Sequence, residues 1–143
     1  MTPPADTATG ADQQQVTVSE LEYARFDRAL ERLQSADPHS RVALDDQTGL
    51  AVGLDGAFRV PVPATVRSLP GTDRAAAASV LFLDRYGAVF GIPGWHCLEP
   101  VSASPLGRTM WFGFNARIAP GRTLAVHVCA DEDTVKHVRI ERD

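Results

Sequence analysis

Nothing in this 143-residue chain approaches the ~20 consecutive apolar residues needed to cross a bilayer as a helix, so no membrane association is expected. The N-terminus also lacks the cationic start and apolar run of a secretory signal, and a cytoplasmic location follows as an expectation. Cysteine is scarce. Cys97 and Cys129 stand far apart and outside any Cys-x-x-Cys spacing, which favours two buried or half-buried thiols over a disulfide. Lysine is scarcer still: of 14 basic residues only Lys136 is a lysine. With its frequent alanine and proline, that skew points to GC-rich coding and hence to a bacterial source. The arginines are dispersed from Arg25 to Arg142 among acids, and the formal charge is -4. A basic run or stripe is therefore missing, which argues against nucleic-acid binding. Glycine-rich phosphate loops, a nucleophile elbow, His-Glu-x-x-His and EF-hand patterns are also missing, which removes the common nucleotide-hydrolase, zincin and calcium-sensor readings. No cofactor is expected.

What remains is 44% apolar and 22% charged, a composition suited to one domain. A chain of this length buries roughly 70% of its unfolded surface, enough to fold without disulfides or structural metal. Residues 1–15, with Gln13 to Gln15, two prolines and few apolar side chains, read as a disordered tail ahead of a single domain over 16–143. Thr17 or Ser19 can open a helix running to about Gln34, with Asp37-Pro38 as its stop. Tyr23, Phe26, Leu30 and Leu33 form its apolar stripe. Docking of that stripe on the protein's own sheet is favoured over a short dimeric coiled coil.

Beyond Pro38 the period becomes strand-like. Arg41 to Leu44, Leu50 to Leu54 and Ala57 to Val62 suggest a β-meander, with turns at Asp45 to Gly49 and at Asp55-Gly56. Thr72 to Ser79, with four consecutive alanines after Asp73 as a cap, suggest a second short helix, and over Val80 to Leu83 an extension of that helix to Tyr86 competes with a hairpin. The hairpin is preferred because Leu44-Asp45, Gly49, Val52, Gly53 and Leu54 are echoed by Leu83-Asp84, Gly87, Phe90, Gly91 and Ile92. Prolines 93, 100 and 105 predict an irregular edge strand and loop around Trp95 to Ser104. The last third alternates cleanly and predicts three strands. The expected architecture is α+β: an N-terminal amphipathic helix packed on a strongly curved, mostly antiparallel β-sheet or partly open barrel of about seven to nine short strands.

One constellation emerges from the alternation. Pairing Phe114 with Val126 and Val126 with Val138 places His127 beside Gly113 and opposite His137, with Cys129 next to Trp111 and with Arg139 and Glu141 further along. Trp111, Gly113, Ala125, Cys129 and Val135 suit a covered face better than one in water. A metal held by His127, His137 and either Cys129 or Glu141 lacks a defined third ligand, so no metal site is expected. Acid/base work by His127 or His137, on a ligand bound by Trp111, Asn115, Arg117, Cys129 and Arg139, is the catalytic option. Cys97, within Trp95-His96-Cys97, has no evident base and reads as a loop thiol.

Two functions are compatible with these residues. The favoured one is a small non-catalytic binding or regulatory protein, an accessory, immunity-type or ligand-sensing module, with a protein partner or small apolar ligand and the option of a homodimer. The other is a small barrel-like isomerase, cyclase or lyase using His127 or His137 in an apolar small-molecule pocket.

Overall fold

The computed structural model describes residues 18–141, and the side chains from residue 23 onward. The expected tail and the Thr17 capping choice lie outside those described residues, whereas Ser19 falls within the first helix and does not open it. The architecture is α+β, with a six-stranded antiparallel sheet in the order β1-β2-β6-β5-β4-β3 and helices packed on one of its faces. The sheet is open rather than a barrel, and six strands replace the seven to nine expected. Among the described residues no helix is long and apolar enough to cross a membrane.

Helix α1 (Val18–Ala36) ends where Asp37 donates its backbone N–H to the Leu33 carbonyl. Only part of its stripe is covered: Ala29 and Leu33 are buried and Phe26 and Leu30 half-buried, while Tyr23 is 65% exposed. Its C-terminal half packs chiefly on the 3-10 turn Gly87–Phe90 and on the second helix, not across the sheet as the stripe suggested.

Strands β1 (Arg41–Leu44) and β2 (Ala51–Arg59) form a hairpin. Its turn is held by Asp45, whose carboxylate accepts from the Gln47 N–H and the Thr48 hydroxyl. The expected turn at Asp55-Gly56 does not form. β2 runs straight through it, with a bulge between Asp55 and Phe58 against β6. Two contacts stabilise that bulge: Asp37 Oδ2 accepts the Ala57 N–H at 2.9 Å, and Gly56 leaves room for both the Phe58 ring and that carboxylate. A Cβ at Gly56 would lie 2.6 Å from the ring.

Residues 72–86 are helical: the short helix expected near Thr72 is present, and it continues through Val80–Leu83, where the internal echo favours a hairpin. Helix α2 (Gly71–Tyr86) buries Ala75, Ala78, Ser79, Phe82, Leu83 and Tyr86, the i, i+3, i+4, i+7 spacing of one helical face. Phe82 and Tyr86 pack tilted against Phe58 at centroid distances of 5.4 and 6.5 Å from it, which ties α2 to β2. The echo is thus a chance likeness: one copy lies in a β-hairpin, the other in a helix end and a 3-10 turn.

The remaining strands are β3 (Leu98–Leu106), β4 (Thr109–Ala119), β5 (Arg122–Asp131) and β6 (Thr134–Glu141). β3 is the irregular edge expected from its prolines. Val101 is left unpaired by a register shift, so Pro100 faces Phe114 and Pro105 faces Met110. Alternate residues of one strand turn their backbone polar groups the same way. Both prolines therefore occupy the same phase, with their missing N–H on the open edge. The row Val42–Leu54–Val138–Val128–Phe112–Ala103 runs across all six strands on the helix side and is buried from Leu54 to Phe112.

Candidate functional site

The opposite face, free of helices among the described residues, carries the polar constellation. Its organisation follows from the registers, which place one residue from each strand in line across the sheet. One row reads Arg41–Asp55–His137–Cys129–Trp111–Ser104 from β1 to β3, and the next reads Ala43–Gly53–Arg139–His127–Gly113–Ser102.

The β4–β5 register is the expected one, with Phe114 opposite Val126, Gly113 opposite His127 and Trp111 opposite Cys129. The β5–β6 register is not. Val126 faces Ile140 and Val128 faces Val138, so His127 lies opposite Arg139, and His137 lies opposite Cys129. The two histidines sit in different rows and are not a cross-strand pair. The connection is a two-residue turn in which Glu132 adopts φ 52°, and a bulge between Cys129 and Ala130 takes up the odd residue at Lys136. That bulge also turns Val135, expected on this face, into the core.

His137 donates or accepts through Nδ1 at 2.7 Å from Asp55 Oδ1, and Arg139 Nη2 donates to the same oxygen at 2.8 Å. Because an ionised carboxylate only accepts, the imidazole must carry its proton on Nδ1, which leaves Nε2 free. The hydrogen bond from His137, then that from Arg139, holds the Asp55 carboxyl below its ordinary 3.8. Arg139 also donates through Nη1 to the carbonyls of Leu54 and Val138. Its guanidinium lies across Gly53, where a Cβ would come within 3.7 Å of it.

Trp111 and His137 lie parallel, 8° apart with centroids at 6.0 Å, on either side of Cys129. That explains why Cys129, on the helix-free face, is only 3% exposed. His127 has its own carboxylate, Glu141, at 3.7 Å. Ser102 lies over Gly113, so both glycine gaps in the second row are filled by side chains lying flat. The face is level.

Of the residues named from the sequence, Trp111, Cys129, His137 and Arg139 are brought together and His127 adjoins them in the next row. Asn115 and Arg117 are exposed on the same face, but Arg117 stands six residues along β4 from Trp111, ~20 Å at strand spacing. Neither joins the network. Asp55 is the member that sequence reasoning missed, because Asp-Gly between apolar runs is a strong turn signal. Among the described residues no group of three or more His, Cys, Asp or Glu is placed to hold a metal. Cys97 and Cys129 are both free thiols.

Three open grooves lie elsewhere. One of about 540 Å³ runs between α2 and β3–β4 over Phe112 and Phe114. Another, of about 700 Å³, lies at the N-terminus of α2 beside the β5–β6 turn, and a third, of about 580 Å³, between α1 and the end of α2. Trp111, His127, His137 and Arg139 line none of them. Comparison of the chain with family models, with curated proteins and with solved structures returned no match.

Proposed function

We propose that this is a small non-catalytic binding or regulatory protein whose helix-free sheet face, centred on Trp111, Cys129, His137 and Arg139, engages a protein partner. The observation that carries this reading is the levelled network on that face. An aromatic ring, an imidazole, a carboxylate and a guanidinium are held by one another on the sheet, and none of them lines any of the three grooves described above. Preorganised aromatic and arginine side chains on a flat surface suit a macromolecular partner, whereas small ligands are usually surrounded in a cleft.

The isomerase, cyclase or lyase alternative has the Asp55–His137 hydrogen bond in its favour, since a carboxylate on Nδ1 orients Nε2 for proton transfer. Against it stands the setting: His137 and Asp55 are 41% and 46% exposed on a flat face.

The test is affinity capture from the producing cells with wild-type protein, Trp111→Ala, Arg139→Ala and the remote control Leu106→Ser, all checked for folding. The reading expects one set of captured proteins to be lost with the first two and kept with the control. Retention by all three variants would remove it.

A further inference from the structure

We propose that the partner which fits this face is a second copy of the chain, joined face to face about a two-fold axis that runs along the strands midway between β5 and β6. This rests on the binding-face reading above and names its occupant.

Two observations favour a second copy. The first is hydrogen bonding. The two-fold lays β4 over β2 of the second copy, so Trp111 faces Asp55. Asp55 uses only Oδ1 for His137 and Arg139, so Oδ2 is left over, and the Trp111 indole N–H has no acceptor among the described residues. Each copy supplies the donor that the other lacks.

The second is area and access. β2, β6, β5 and β4, about nine residues long and ~4.8 Å apart, span roughly 19 by 30 Å, or about 570 Å² in plan. Side-chain relief brings that toward the ~800 Å² per partner of a standard interface. Growth from the edges is hindered at both ends, by the four-residue β1 and by the two prolines of β3.

The decisive pair is Ser104 and Arg41. Within one chain they sit on opposite edge strands, five strand spacings or ~24 Å apart, too far to interact. Across the proposed axis they face each other.

Sedimentation equilibrium on the full chain therefore expects a wild-type dimer. Trp111→Glu, which sets a carboxylate against Asp55, should weaken self-association roughly tenfold or more. Ser104→Arg should weaken it, and Arg41→Glu added to Ser104→Arg should restore it, while circular dichroism shows every variant folded. A wild-type monomer, or effects of the Ser104 and Arg41 changes that simply add, overturns the proposal. If the protein is monomeric and Trp111→Ala still loses captured proteins, only the self-association fails and the binding-face reading stands.

Discussion

Both hydrogen bonds that Asp55 accepts land on one oxygen, and both favour the ionised carboxylate over the neutral acid. Its pKa is therefore lower in the folded protein than in the unfolded chain, where it sits near 3.8. The sign follows from linkage: the stabilisation is complete above the unfolded value and disappears as the pH falls through the folded one. Asp55→Asn keeps the shape and loses the charge. It should unfold in urea with a deficit of at most ~1 kcal/mol at neutral pH, because pairs this exposed are strongly screened. The deficit should close below the unfolded pKa, and a gap constant across the acid range would contradict this account. Why the sequence pointed to Trp111, Cys129 and Arg139 but not to their arrangement has a physical basis. Alternation reports which face a residue is on, and a two-residue slip of β6 against β5 leaves the faces of His137 and Arg139 unchanged. The turn and the bulge decide between the two registers: Glu132 at positive φ closes the turn in two residues where three were expected, and the bulge at Cys129/Ala130 adds the second residue of the slip.

At the scale of elements, the strands of the last third were readable because each keeps one face on the core and the other free of it. β2 and α2 were not, for different reasons. In β2 the Asp-Gly turn signal is local, whereas the contact that overrides it is Asp37, 20 residues away. In α2 the spacing of Ala75, Ala78, Phe82, Leu83 and Tyr86 was present in the sequence, but the Val80–Leu83 run fits a strand equally well until the aromatic partner Phe58 is known. The end of α2 is the sharpest test of its packing. Gly87 is buried at the junction with the 3-10 turn, and a Cβ there would lie 3.0 Å from the Ile92 carbonyl oxygen and 3.1 Å from its Cβ. Ile92 cannot retreat easily, since its N–H is bonded to the Gly87 carbonyl and its side chain is fully packed. Gly87→Ala should therefore destabilise by ~1–3 kcal/mol in chemical denaturation, as overpacking does elsewhere. A neutral substitution would mean that the 3-10 turn is free to shift.

For the molecule as a whole, the question is how an open sheet avoids indefinite growth through its edges. Open edges present unpaired N–H and C=O groups to any other strand, and short strands, prolines and bulges are the usual remedies. β1 is short; β3 is nine residues long and needs more than brevity. Two prolines five residues apart would face opposite sides of a regular strand, so one would break the ladder to β4. The unpaired Val101 between them changes the phase by one, and both fall on the open side while the pairing with β4 survives. Pro100→Thr with Pro105→Thr should then return two donors to the open edge without disturbing the ladder. The double variant should keep its fold and lose colloidal stability, with light scattering rising on mild heating at concentrations where the wild type stays clear. If instead it unfolds more easily and scatters no more than wild type, the prolines act on the β3–β4 ladder and the edge is protected by something else.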